Sequence, residues 1–452
     1  MDQCVITRKI TVAAGVFAPG HLGELTQIVP FEMVDQALAA TGTAQARLRV
    51  LPARVVVYLL LAGCLFAELG YRQVWHKLTT GLGTLPTAHP SDNALWQARA
   101  RLGPAPLRWL FDLLRGPATA ITAGAVRWHG LLVCAIDGTT MTIPDSARNL
   151  AVYSKQAGSH GGSGYPLLRL VALVTCGTRT IIDAVFGPVS CGEQDCTRRL
   201  ARSLHGGMIV LLDRNFDVAA LIGELAATHA DLLVRIKSNR KPPVLRRYRD
   251  GSFLSQIGTV KVRVVECEIT IATSAGTHTG VYRLATTLLD WRRYPAAELV
   301  TLYHQRWEIE TAFLELKSSI LGGRVLRART PAGVAQEVYA LLACYQILRI
   351  AITDAIEAAG GTDPDRGSFT VALNAARDLL VQAANVIAGT IIDLVGGIGR
   401  RVLDNLLPDR RLRISPRIVK RAISKWQARG PRIDRRSYKA TLSINILAAP
   451  GP

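Results

Sequence analysis

Between residues 131 and 236 the chain alternates short apolar segments rich in β-branched residues with short helical segments. Glycine, serine and proline separate the apolar segments, which is typical of strand boundaries. The predicted strands are 131–143, 167–175, 180–189, 208–213 and 232–236, and the predicted helices are 193–204 and 218–227. The order β-β-β-α-β-α-β predicts an α/β fold in which helices flank a mixed central sheet.

The rest of the chain differs in pattern from this core. Residues 241–289 contain alternating polar and apolar positions, which predict a β-strand insertion of one or two hairpins, an accessory subdomain beside the active site. We divide the chain into a helical N-terminal domain (1–125), a first part of the core (126–240), the β insertion (241–289), a second part of the core (290–360) and a helical, basic C-terminal region (361–452).

The charge of the chain indicates a polyanionic partner. Lys and Arg number 54 against 34 Asp and Glu, and surplus arginine suits bidentate contacts with phosphate, so nucleic acid is the predicted partner. Residues 400–439 hold fourteen Lys or Arg against three Asp, together with Trp426 and Tyr438. This tail is either a solvated or disordered segment or an arm that contacts DNA or a second subunit.

Other partners are not indicated. The longest apolar run, 55–67, is shorter than the roughly 20 residues of a membrane span, and the first residues lack a signal-peptide pattern, so we expect a cytoplasmic protein without a membrane partner. Eight scattered cysteines without a Cys-x-x-Cys pair predict reduced thiols and argue against a zinc site. The chain has no Gly-x4-Gly-Lys-Ser/Thr loop, so ATP is not expected.

A charged stretch follows the insertion, with Tyr303, Arg306, Glu310 and Lys317 at helical spacing. At about 100° per residue these four side chains fall within roughly 60° on one face of an α-helix. Apolar residues at the spacing of a buried stripe share this helix, so the charged face borders a core. Glu308 and Glu315 are rival carboxylates, and Glu310 is preferred because its spacing from Arg306 and Lys317 fits the pattern.

Two aspartates follow apolar strands of the predicted sheet. Asp137 comes after 131–136 and Asp213 after 208–212, where a sheet fixes the backbone while the side chain reaches a crevice. Either aspartate alone is better explained as a turn residue or a helix cap. Together with Glu310 they supply hard oxygen ligands for a pair of Mg²⁺ or Mn²⁺ ions that catalyse phosphoryl transfer.

These motifs, Asp137-Gly-Thr, Asp213-Arg-Asn-Phe and Tyr303-x2-Arg306-x3-Glu310-x6-Lys317, resemble those of the DDE transposases of bacterial insertion sequences, specifically the insertion-element-four family. The resemblance implies a ribonuclease H-like core split by a β insertion. It implies that Asp137, Asp213 and Glu310 are catalytic and bind two Mg²⁺ or Mn²⁺ ions. The residues implied to contact DNA are Tyr303, Arg306 and Lys317, with Arg214 and Asn215 as helpers beside the second aspartate.

The function that the resemblance implies is cut-and-paste transposition. The protein would bind the terminal inverted repeats and join the ends to target DNA as a dimer in a synaptic complex. Separately, Trp96 and the basic residues of the helical N-terminal domain (1–125) suggest that this domain binds the DNA ends, and ordinary exposed basic residues are the alternative. Tyr282 and Trp291 are the candidates for stacking on a flipped base near the cleaved end. Two alternatives stay open: a ribonuclease H-like nuclease without strand transfer, and a non-catalytic DNA-binding protein derived from a transposase.

Overall fold

The computed structural model describes two compact units, each assembled from three separate stretches of the chain. The described residues are 9–11, 16–45, 47, 49–81, 86–117, 126–158, 161–382, 395–408, 413–414 and 438–447. The helical unit consists of Met1–Ile121, Met141–Tyr153 and Ala312–Leu407. The sheet unit consists of Thr122–Thr140, Ser154–Thr311 and Pro408–Pro452. The functional division of the chain into five domains stays a prediction.

The centre of the sheet unit is a mixed sheet of five strands with the predicted order of elements. The strands are β1 (Leu131–Thr142), β2 (Leu167–Thr175), β3 (Ile181–Pro188), β4 (Met208–Leu212) and β5 (Asp231–Arg235). Their spatial order is β3-β2-β1-β4-β5, with β1, β4 and β5 parallel and β2 and β3 antiparallel. The helices Glu193–Leu200 and Ala219–Ala226 occupy the predicted places. This arrangement confirms the α/β class with its ribonuclease H-like core.

The predicted β insertion is present, and its strands extend the sheet of the core. Its strands are β6 (Phe253–Ile257), β7 (Val260–Thr273) and β8 (Gly276–Thr286). β8 pairs antiparallel with β5, so the backbone hydrogen bonds of the core continue into the insertion. The pairing with β5 was not predicted, because alternation identifies strands but not the strand with which each one pairs.

The C-terminal region is helical only in part, although the sequence predicts a helical, basic tail. Phe369–Gln382 and Gly396–Asp404 are helices, whereas Tyr438–Ile446 is a strand, β9, that pairs antiparallel with β7. Apolar and polar residues alternate strictly in β9, and this period-two pattern determines the structure despite the basic composition around it. Trp426 and most of the basic tail lie outside the described residues.

The helical unit packs around the helix Pro331–Ala359, most of whose side chains are buried. The helix is long and apolar enough to cross a membrane, but 78% of its apolar window is buried within the protein, as in a core helix. The other long helices of this unit are Phe31–Ala40, Ala53–Leu65, Tyr71–Thr80, Asp92–Leu102, Ala105–Leu114, Phe369–Gln382 and Gly396–Asp404. Ser91 caps the helix Asp92–Leu102, because its Oγ accepts the Ala94 N–H at 3.2 Å.

Short elements complete the described structure. The short strands are Lys9–Thr11, Phe17–Pro19, Arg127–Trp128, Gln156–Gly158, Gly161–Ser163, Arg246–Arg247 and Arg413–Ile414. The short helical turns are Leu25–Gln27, Ala147–Leu150, Ala201–Ser203, Arg214–Phe216 and Pro364–Arg366.

Candidate active site

The parallel pairing of β1 and β4 places the two predicted aspartates side by side. Ile136 of β1 lies opposite Leu212 of β4, so Asp137 and Asp213 are the next residues on adjacent backbones, about 5 Å apart. β4 ends at Leu212, whereas β1 continues to Thr142. Asp137 therefore lies inside a strand, at the point where its neighbouring strand ends, and both carboxylates lie at that edge of the sheet.

Asp213 also organises the turn that follows it. Its Oδ1 accepts the backbone N–H of Asn215 at 2.7 Å and caps the short turn Arg214–Phe216. The side chains of Arg214 and Asn215 are exposed beside the aspartate. Gln194, on the helix that follows β3, donates to the carbonyl of Asn215 at 3.1 Å. The loop that carries Asp213 is thus fixed to the start of that helix.

The charged stretch from residue 296 to 320 is helical throughout, but it is not one uniform α-helix. It runs as Ala296–Tyr303 (α), His304–Arg306 (3-10), Trp307–Leu314 (α) and Glu315–Ile320 (π). The sequence analysis assumed a regular α-helix, with about 100° per residue, from Tyr303 to Lys317. That assumption is wrong, because the number of residues per turn changes within this stretch. Tyr303, Arg306 and Glu310 belong to the sheet unit, and Lys317 belongs to the helical unit.

Arg306 links two of the predicted metal ligands. Its Nη2 donates to Glu310 Oε1 at 3.0 Å, and its Nη1 donates to Asp137 Oδ2 at 3.4 Å. Tyr303 donates its hydroxyl hydrogen to the carbonyl of Leu212 at 3.2 Å, next to Asp213. The structure therefore brings Asp137, Asp213, Tyr303, Arg306 and Glu310 together in the sheet unit.

The rival glutamates are each held in a buried ion pair. Glu308 is 2% exposed and accepts from Arg179 Nε at 2.6 Å. Glu315 pairs with the buried Arg349 of the helical unit and accepts the Tyr345 hydroxyl at 3.1 Å. Glu310, in contrast, is 42% exposed and faces Asp137 across Arg306. The geometry supports the choice of Glu310 over Glu308 and Glu315.

Burial and crowded negative charge alter the acidity of this edge. Burial raises the pKa of Asp137 to about 7; the Gly138 N–H and Arg306 oppose the rise, and Asp213 and Glu193 add to it. Burial also raises the pKa of Glu193, and the charge of Asp213 raises it further. Glu193 is thus a fourth carboxylate near the two aspartates, and the sequence analysis missed it.

A pH-dependent penalty on folding follows from the raised pKa of Asp137. Its folded pKa lies above its unfolded value of 3.8, so the folded state binds this proton more tightly, and the metal-free protein loses stability as the pH rises from about 4 to about 7. Asp137→Asn cannot ionise, and we expect it to be more stable than the parent by about 4 kcal/mol at pH 8 but only by about 1 kcal/mol at pH 4.5. Urea unfolding in EDTA measures the free energy of unfolding of both proteins at each pH. An equal difference in stability at the two pH values would contradict the raised pKa of Asp137.

The carboxylate side chains of this site are chemically suited to bind a hard divalent cation. Asp137, Asp213 and Glu310 offer the ligands that Mg²⁺ and Mn²⁺ prefer. In the described part of the chain, no three acidic, histidine or cysteine side chains are grouped closely enough to hold an ion as they stand. The Arg306 guanidinium lies between the Asp137 and Glu310 carboxylates. Together with Asp213 these carboxylates would hold the metal ions, which would supply positive charge to the reacting phosphate.

Of the two candidate stacking residues, Tyr282 lies nearer to this edge. The Arg235 guanidinium lies 4.0 Å from the centre of the Tyr282 ring. Burial raises the pKa of Tyr303, and the nearby charges of Arg306 and Arg235 partly oppose the rise. Trp291 stacks on Tyr248, with ring centroids 6.4 Å apart. The arrangement favours Tyr282 for a role near the carboxylates.

Comparison with known families gives two matches that do not overlap. The family model described as "Insertion element 4 transposase N-terminal" matches residues 19–112. The model described as "Transposase DDE domain" matches residues 128–347, a range that contains Asp137, Asp213 and Glu310.

Individual proteins are similar over different shares of the chain. The transposase InsG for insertion sequence element IS4 of Escherichia coli K12 is 27% identical over 408 residues, which cover 86% of this chain and 90% of InsG. The putative transposase InsZ of the same organism is 29% identical over 195 residues, or 42% of this chain and 62% of InsZ. A cryo-EM structure of a piggyBac transposase synaptic complex with hairpin DNA aligns over 85% of each chain, with 10% identity and a TM-score of 0.40.

Proposed function

The chain belongs to the insertion element 4 family of DDE transposases, and we propose that it moves an insertion sequence by cut-and-paste transposition. The protein cleaves DNA at the terminal inverted repeats of its element and joins the free 3′ hydroxyls to target DNA. A hairpin at the transposon end is one route for the cleavage. The observation that carries the proposal is the convergence of Asp137, Asp213 and the Arg306–Glu310 pair at one edge of the sheet unit.

DDE transposase domains use divalent metal ions, and Asp137, Asp213 and Glu310 are the proposed ligands here. Two bound Mg²⁺ or Mn²⁺ ions would stabilise the attacking and leaving oxygens of an in-line phosphoryl transfer. The protein's own contribution is to hold the acids on a rigid sheet edge. Tyr303 fixes the backbone just before Asp213, and Arg306 keeps the carboxylates of Asp137 and Glu310 aligned.

The cationic side chains around the acids are proposed to hold the DNA. Arg306, Tyr303 and Lys317 contact phosphates of the transposon end, and the exposed Arg214 and Asn215 extend this contact beside Asp213. A guanidinium that pairs with carboxylates in the free protein can pair with a phosphate once metal ions neutralise those carboxylates. Tyr282 is the proposed stacking residue.

The proposed partners are double-stranded DNA and a second copy of the chain. Two transposon ends must be joined together, so a homodimer in a synaptic complex is the simplest assembly. The net charge of +20 favours association with DNA of any sequence. We therefore place the protein in the bacterial cytoplasm, at the nucleoid.

A joining assay separates transposition from simple nuclease activity. Pre-cut DNA that carries the inverted repeats from the flanks of the gene is incubated with supercoiled plasmid, Mg²⁺ and the full-length protein. We expect joined products on a gel, and their loss when Mg²⁺ is replaced by EDTA. Cleavage without joining would leave a ribonuclease H-like nuclease, and DNA binding without either reaction would leave a non-catalytic DNA-binding protein.

A further inference from the structure

We propose that Cys191 and Cys196 are a modification site, at which a peroxide oxidises the two thiols to a disulfide. Both residues belong to the sheet unit. Cys191 follows β3 in the chain, and Cys196 lies in the helix Glu193–Leu200. The effect of the disulfide on end cleavage rests on the proposed function, whereas the formation of the disulfide does not depend on it.

The two sulfur atoms already lie in contact. The Sγ atoms of Cys191 and Cys196 are 3.4 Å apart, and both thiols are reduced. A disulfide has an S–S distance of about 2.05 Å, so its formation brings the sulfurs closer by only roughly 1.4 Å. The backbone on both sides is fixed, because Cys191 donates its N–H to the Pro188 carbonyl at 3.0 Å and Cys196 donates to the Gly192 carbonyl at 3.1 Å. The pair is therefore held within reach of a disulfide.

The surroundings of the two thiols assign them different roles. Among the cysteines that the structure describes, Cys191 alone is not buried, so it is the one that a peroxide reaches first. It directly precedes Gly192, the N-cap of the helix, a location typical of cysteines that react with oxidants. Burial and the contact with Cys191 raise the pKa of Cys196 to about 12, while the charges of Arg199 and Arg169 oppose the rise. Cys196 therefore keeps its proton until Cys191 has reacted.

The reaction runs in two balanced steps. The Cys191 sulfur attacks one oxygen of hydrogen peroxide, the O–O bond breaks, and the departing hydroxide takes up the thiol proton as water, which leaves a sulfenic acid on Cys191. The Cys196 sulfur then attacks the Cys191 sulfur, the S–O bond breaks, and the second hydroxide leaves as water with the proton of Cys196. Two thiols and one peroxide give one disulfide and two waters, so the thiols are oxidised and the peroxide is reduced.

The disulfide alters the support of Asp213. Gln194 lies between the two cysteines and donates to the carbonyl of Asn215 at 3.1 Å, in the turn that Asp213 caps. Closure of the pair draws the first turn of the helix toward Cys191, which disturbs this hydrogen bond. We expect the disulfide to lower end cleavage at least about tenfold, because a displacement of about 1 Å near reacting groups has a large effect on rate. A disulfide of this kind in the cytoplasm is reversible, so reduction restores the activity.

Peptide mapping of the full-length protein tests the modification. The protein is treated with increasing concentrations of hydrogen peroxide, its remaining thiols are alkylated, and a tryptic digest is analysed by mass spectrometry. Trypsin releases both cysteines in one peptide, residues 180–198, because Arg179 and Arg198 flank it. We expect this peptide to lose two hydrogens and to escape alkylation before any other cysteine reacts, and dithiothreitol should reverse the change.

Two variants separate the roles of the thiols. Cys196→Ala should stop the reaction at the sulfenic acid on Cys191, which dimedone traps, whereas Cys191→Ser should form neither the sulfenic acid nor the disulfide. Both variants should cleave DNA ends like the parent before oxidation. After the same peroxide treatment, Cys191→Ser should keep its activity, while the parent should lose activity until dithiothreitol is added. Circular dichroism checks that each variant is folded.

The outcomes distinguish this proposal from the proposed function. Alkylation of both Cys191 and Cys196 at a peroxide concentration that oxidises another cysteine would overturn the modification site. A disulfide that forms without loss of end cleavage would overturn its effect on Asp213, and equal loss of activity in Cys191→Ser would do the same. If the reduced parent neither cleaves nor joins DNA, the proposed function fails, and the peptide map still decides whether the disulfide forms.

Discussion

Replacement of Glu310 by Gln is expected to reduce end cleavage and joining by at least about 10³-fold while the fold is retained. The amide of Gln keeps the size of the side chain and can still accept from Arg306, but it removes a charged metal ligand. Glu310 is 42% exposed, so its loss should cost little stability. Asp137→Asn and Asp213→Asn should lose activity to a similar degree. A gel assay with labelled end DNA and Mg²⁺ measures cleavage, and a mobility-shift assay measures DNA binding.

A glutamate from the same helical stretch provides the control. Glu298 is exposed and pairs with His129 at 2.9 Å, so Glu298→Gln should cleave and join like the parent. If Glu310→Gln keeps substantial activity and Glu308→Gln is folded but inactive, Glu308 and not Glu310 is the metal ligand.

Replacement of Glu315, five residues after Glu310, is expected to reduce stability. Glu315→Ala should lower the free energy of unfolding by about 3 to 5 kcal/mol, because it leaves Arg349 buried without a counter-charge. Arg349 is 1% exposed, and Tyr345 loses its acceptor in the same variant. Urea unfolding followed by circular dichroism measures the loss.

An apolar replacement of the whole pair tests the cause of this loss. Glu315→Leu combined with Arg349→Met removes both charges and should recover much of the stability. If the double variant is as unstable as Glu315→Ala, the loss reflects packing and the buried charge is not its cause.

Local pattern was sufficient to predict the central part of the fold. The strands 131–143 and 208–213 were placed within one residue of their observed ends, because continuous apolar segments bounded by turn residues indicate buried strands in sequence. Adjacent parallel strands then bring Asp137 and Asp213 together. Their convergence followed from topology and required no knowledge of side-chain contacts.

Features that depend on distant partners were not predictable in this way. Glu308 is buried because Arg179, 129 positions earlier, pairs with it. Glu315 depends on Arg349, 34 positions later. The approach of Glu193 to Gly138 depends on how a helix packs on β1, and only the glycine itself marks it in the sequence. The sequence of β9 alternates between apolar and polar residues, but the basic residues before it led to the prediction of a helical tail.

The pairing of β9 with β7 has a consequence for biosynthesis. β6 covers the first part of one edge of β7, and β9 covers the rest, from Cys267 to Thr273. The ribosome makes β9 roughly 170 residues after β7, which corresponds to about 10 to 35 s of synthesis. During that interval the second half of this edge has unpaired backbone groups that another chain can pair with. The protection of this edge is therefore complete only after translation has passed β9.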